Sequence, residues 1–203
     1  KDAAAPFNDL RADVILRSND SVDFRVYKII LSLASPIFDA MFSLPPGNPS
    51  AYRVDLQRNG VPVVLMEERS DTLDPILRAC YPGCAPEVHD LKDFANILTA
   101  VEKYEIKAFD QLAQTVMLRH LVDAPVKVYA LAYRFGFDTI VHLSSRACLS
   151  LSYSNMTSEE PPEISLLTSW QYRKLLRYHR TCGEIASRVA TSDTWLQECQ
   201  GMV

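Results

Sequence analysis

Four histidines and five cysteines are the residues of this 203-residue chain best suited to nucleophilic or metal chemistry. Cys80 and Cys84 stand about one helical turn apart, a spacing that lets two thiolates face one ion. Pro82-Gly83 breaks a helix between them, so Cys80 reads as a small buried apolar residue instead. His179-x-x-Cys182 is a second ligand-like spacing, with Cys199 downstream. A tetrahedral site needs a fourth ligand, and none follows in a local frame before Val203. His179 lies on the apolar stripe of a helix and reads as a partly buried core residue. Neither G-x-S-x-G nor H-E-x-x-H occurs. Phosphate-cradling loops need close glycines, yet the nearest two of the six, Gly47 and Gly60, stand 13 residues apart. The expectation is a chain that is not an enzyme, with no catalytic residue, no cofactor and no metal ligand set.

Charge narrows the partners. With 21 Lys and Arg against 25 Asp and Glu the net charge is −4, which opposes non-specific nucleic-acid binding. The basic run Arg173-Lys174, Arg177, His179-Arg180 separates on a helix. Arg173, Arg177 and Arg180 take one face and Leu175, Leu176 and His179 the other, as on a solvated helix. No run approaches the roughly 18 apolar residues of a membrane span. An odd, scattered set of cysteines without a secretory leader implies free thiols in an intracellular compartment, cytoplasmic or nuclear. The start at Lys1 in place of methionine reads as that of a fragment.

The elements that must position these residues follow from periodicity. Residues 1–9 read as a loose arm. Residues 13–18 form a strand, Asn19-Asp20-Ser21 a turn, and Val22, Phe24 and Val26 a second strand of period two. Ile29 to Ala34 is a short helix. Ser35-Pro36 starts another that carries Ile37, Phe38, Met41 and Phe42, and a Pro-rich loop follows from Leu44. Val61 to Met66 is a third strand, with Pro62 at its start or at an edge. From residue 70 the pattern is helical, with starts at Ser70, Asp90, Pro125, Asp138 and Ser169 and a stop at Gly136. Ser154 to Pro162 reads as a linker. The expected fold is α+β: a small sheet of about three strands covered by helices, then an all-helical C-terminal extension.

The N-terminal motifs carry a family signal. They are the strand Asp13-Val14, the strand Phe24-Arg25-Val26-Tyr27-Lys28, the segment Ser35-Pro36-Ile37-Phe38-Asp39-Ala40-Met41-Phe42, and the helix end Tyr81-Pro82-Gly83. In this order they resemble a BTB/POZ domain over about residues 10–122. Leu16-Arg17-Ser18-x-Asp20, Val61-Pro62-Val63-Val64 and Leu175-x-Arg177-Tyr178-His179-Arg180-x-Cys182-Gly183 are similar to the expanded BTB proteins of mushroom-forming fungi. That likeness implies a helical extension over 123–191 and a tail over 192–203.

The resemblance implies a protein–protein interaction module that homodimerises or scaffolds partners. The first helices of two chains would pack together, with Leu33, Ile37 and Met41 as interface residues and Phe7 contributing from the arm. Asp13 and Lys28 match a charged pair near that face. Two positions depart from the family pattern. Tyr27 stands where histidine is usual, and the loop Ser43-Leu44-Pro45-Pro46-Gly47-Asn48-Pro49 lacks the acidic motif of cullin-recruiting members. A substrate adaptor for a cullin ubiquitin ligase is the first alternative. A zinc- or nucleic-acid-binding factor completed by sequence beyond Val203 is the second.

Overall fold

The computed structural model describes residues 1–43, 57–84, 86, 88, 91–158 and 161–192. The Pro-rich loop from Leu44, Asp90, Glu159-Glu160, Cys199 and the tail beyond Ser192 lie outside the described residues. The chain divides into two compact units, Lys1–Val116 and Met117–Val203.

The first unit carries a four-stranded mixed sheet: β1 (Val14–Arg17), β2 (Asp23–Val26), β3 (Gln57–Arg58) and β4 (Val61–Leu65), in the order β2-β1-β4-β3. The expected hairpin is present, with Val14 opposite Val26 and Leu16 opposite Phe24. β1 also pairs in parallel with β4, Ile15 facing Val63. Val14, Ile15 and Leu16 are all buried, so both faces of β1 are covered and neither alternating register describes it alone. The fourth strand, β3, has two residues, too short for a periodic signal. Pro62 sits second in β4, ahead of the residues that pair with β1, where its missing donor breaks no bond to that strand.

Helices α1 (Lys28–Ala34), α2 (Pro36–Ser43), α3 (Ser70–Cys80), α4 (Phe94–Tyr104) and α5 (Asp110–Arg119) follow these strands in chain order, α5 crossing the division between the units. Two aspartates distant in sequence hold helix starts. Asp13 Oδ1 accepts the Lys28 amide of α1 at 2.9 Å, and Asp20 Oδ1 accepts the Ser70 amide of α3 at 2.8 Å. Each sets a carboxylate at the positive end of a helix. The Ser70 hydroxyl also donates to Asp20, and these bonds hold its carboxyl below the usual carboxylate range.

The arm is not loose. The Ala3 and Asp23 amides donate to the Asp23 and Lys1 carbonyls, and the Arg25 amide donates to the Phe7 carbonyl at 2.9 Å. The arm therefore runs along the outer edge of β2 and satisfies backbone groups that an open edge would expose.

In the second unit, α6 (Pro125–Arg134), α7 (Asp138–Ala147), α8 (Tyr153–Ser158) and α9 (Ser169–Thr191) enclose a small core. Val126, Tyr129, Cys148, Met156 and Leu175 form its centre. The expected linker is instead the short helix α8 followed by a 3-10 turn over Pro162–Leu166. Its anchor is Met156, fully buried, whose apolar partners lie far along the chain and leave no local pattern. α9 is capped by Thr168 rather than Ser169: Thr168 Oγ1 accepts the Gln171 amide while Gln171 Oε1 accepts the Thr168 amide. The stop at Gly136 is explained by its φ of +77°, a left-handed conformation suited to glycine.

Candidate interaction surface

α1 is apolar on nearly every side: Lys-Ile-Ile-Leu-Ser-Leu-Ala. Only Leu31 is fully buried. Ile29 and Leu33, one turn apart, are 64% and 83% exposed, and Leu10 in the arm is 79% exposed. A helix of such composition is normally covered on more than one face. The short run gave no reason to separate Ile29 from Leu33, and Ile29 and Leu10 were not singled out from the sequence.

Leu33, Ile37 and Met41 are four apart in sequence but do not share one helix. Ser35 is extended (φ −147°, ψ 120°), because the following Pro36 disfavours a helical residue before it. Leu33 therefore belongs to α1, and the half-buried Ile37 and Met41 belong to α2. The break is pinned by Ser35, whose Oγ donates to the Tyr104 carbonyl at 2.5 Å and accepts the Phe38 amide at 3.1 Å. Phe38 is fully buried, its ring stacked at 4.8 Å on Tyr104 and 5.9 Å on Phe42.

Phe7 lies inside its own unit. It is fully buried, with ring centroids 5.6 Å from Phe24 and 5.3 Å from Tyr81, and the Arg78 guanidinium 5.5 Å above it. Arg78 also donates to the Ala5 carbonyl at 3.0 Å, fastening the arm beside the ring. Asp13 meets Lys28 through the lysine's backbone amide, whereas the Lys28 ammonium lies 5.9 Å over the Phe42 ring. Tyr27, in place of histidine, donates its hydroxyl to Asp9 at 2.7 Å, and its amide donates to the Tyr81 hydroxyl at 2.9 Å.

A buried carboxylate ties the sheet together. Asp23 is 2% exposed and accepts from Arg17 at 2.6 and 2.9 Å and from Arg58 at 2.6 Å. Arg58 also pairs with Asp2 of the arm. The Arg17 guanidinium, helped by Arg58, holds the Asp23 carboxyl below its ordinary value against the opposing effect of burial.

The residues considered for metal or nucleophilic chemistry have other roles here. Burial pushes the thiols of Cys80 and Cys148 up to about 12, so both are protonated at neutral pH. The Cys80 Sγ–H points to the Ile76 carbonyl at 3.4 Å. His179 Nε2 lies 2.9 Å from the Leu151 carbonyl, and because a carbonyl only accepts, that nitrogen carries a proton. Among the described residues no group of three or more His, Cys, Asp or Glu could hold a metal ion, and no helix is long and apolar enough to cross a membrane.

Residues 7–121 match the BTB/POZ domain family. A mouse (Mus musculus) protein, TD and POZ domain-containing protein 3, is 27% identical over 99 residues, which cover 49% of this chain. The same stretch covers 25% of that relative, so the likeness spans about a quarter of its length.

Proposed function

The chain belongs to the BTB/POZ family, and from that premise we propose that it pairs with a second copy of itself through the exposed face of α1 and scaffolds further protein partners. The BTB/POZ domain is a protein–protein interaction module. The observation that carries the pairing is the exposure of Ile29 and Leu33 on α1. Covering one such side chain contributes roughly 1.5–3 kcal/mol, and a two-fold interface uses each residue twice. Ile37 and Met41 on α2 would extend the patch.

In this reading residues 10–122 are the interaction domain, 123–191 the helical extension and 192–203 a tail. The motif likeness supports a place among the expanded BTB proteins of mushroom-forming fungi, and the scattered free thiols support an intracellular site. A cullin adaptor draws less support, since the segment 43–49 lacks the acidic motif.

Light scattering of the full chain tests the pairing. A dimer mass is expected, falling to the monomer on Leu33→Asp with unchanged circular dichroism. A Leu33→Asp variant that stays dimeric would move the interface away from α1.

A further inference from the structure

The strongest unassigned feature outside α1 is the C-terminal half of α9. The first half is held to its unit: Leu175 is buried, Tyr172 donates its hydroxyl to the Met156 carbonyl, and His179 contacts the Leu151 carbonyl. Past His179 the helix runs on for twelve residues, Arg180–Thr191, about 18 Å, with none fully buried.

An apolar seam continues onto this free portion. Leu175, Tyr178, Cys182, Ile185 and Val189 are spaced three, four, three and four, the a/d pattern of a coiled coil. Ile185 and Val189 are 50% and 56% exposed. Scattered surface apolar residues need no explanation, but a regular seam on a helix that has left its core does.

Charge says what fits it. The helix carries Arg173, Lys174, Arg177, Arg180 and Arg188 against a single acid, Glu184, which pairs with Arg180 at 2.9 Å. The chain as a whole is −4, so the cations are concentrated here. A second α9 would bring the same cations and oppose self-pairing. An anionic bilayer prefers a broad apolar face, whereas this seam is one or two residues wide. We propose that the C-terminal half of α9 docks an amphipathic helix of a partner protein, apolar along its own seam and rich in Asp and Glu on its flanks. This surface is separate from α1, so the two readings can fail independently.

The test uses the full chain and a fluorescent three-heptad peptide with Leu at a and d and Glu at e and g. A permuted peptide of the same composition and vesicles of mixed phosphatidylcholine and phosphatidylserine serve as competing probes. The seam peptide should bind, weaken as salt rises, and lose at least tenfold in affinity against the double variant Ile185→Ser, Val189→Ser. Both positions are exposed, so the variant should keep its circular dichroism. The Leu33→Asp variant should bind the peptide normally. Equal binding of the permuted peptide, no effect of the double variant, or capture by vesicles alone would overturn the proposal. So would self-association that the double variant abolishes, or peptide binding seen only when the chain is cut after Ser192, which would assign the seam to a second copy or to residues 193–203.

Discussion

Phe7→Ala separates the folding core from the pairing surface. The ring is fully buried, meets Phe24 and Tyr81 edge to face at 5.6 and 5.3 Å, and lies beneath Arg78. Removing such a ring costs about 3–5 kcal/mol, combining lost transfer energy with the cavity left behind. That is a large share of the roughly 5–15 kcal/mol that holds a domain folded. With a urea slope of about 2–3 kcal/mol per molar, the unfolding midpoint should fall by roughly 1–2 M. The arm also loses its anchor, so the backbone amides of Ala3 and Arg25 should exchange faster with solvent. Phe7→Leu, which keeps part of the volume, should lose less than half as much. In light scattering below the transition, Phe7→Ala should retain the oligomeric mass of the parent. A midpoint shift worth under about 1 kcal/mol, together with loss of that mass, would refute this placement and return Phe7 to the interface.

Two further outcomes test the frame around the surface. Ser35→Ala removes both the cap of α2 and the bond to the Tyr104 carbonyl, leaving buried polar groups unpaired, and should cost about 2–3 kcal/mol in urea unfolding. Asp23 supplies a pH dependence: its depressed folded pKa gives stability that is fully present above the ordinary carboxylate value near 3.9 and is lost as pH falls through the lower folded value. Asp23→Asn should therefore flatten the fall in stability below about pH 4, while costing about 3–5 kcal/mol at neutral pH because Arg17 and Arg58 lose their shared partner.

Much of this fold is legible where the signal is local. Asp23 to Val26 alternates with period two, Ser35-Pro36 marks a helix start, and Gly136 marks a stop, because each depends on neighbours within a turn or a strand. The ordered BTB/POZ motifs are read the same way, residue against residue. The candidate site was less legible. Residue types showed that the 28–42 segment is rich in apolar side chains, but not which of them face water. Ser35 divides the segment into two helices, which sends Leu31 and Phe38 inward and leaves Ile29 and Leu33 outside.

The sequence by itself determined the element types, the family and the class of function, since propensity, capping and motif order are written in consecutive residues. Only the tertiary structure decided which surfaces are left over. Ile15 finds Val63 across the sheet, Asp20 holds the start of α3, Phe7 fills the space beside Tyr81, and Met156 anchors what reads as a linker. Each contact joins residues distant along the chain, where short-range periodicity carries no information, and burial is settled only when those distant partners meet.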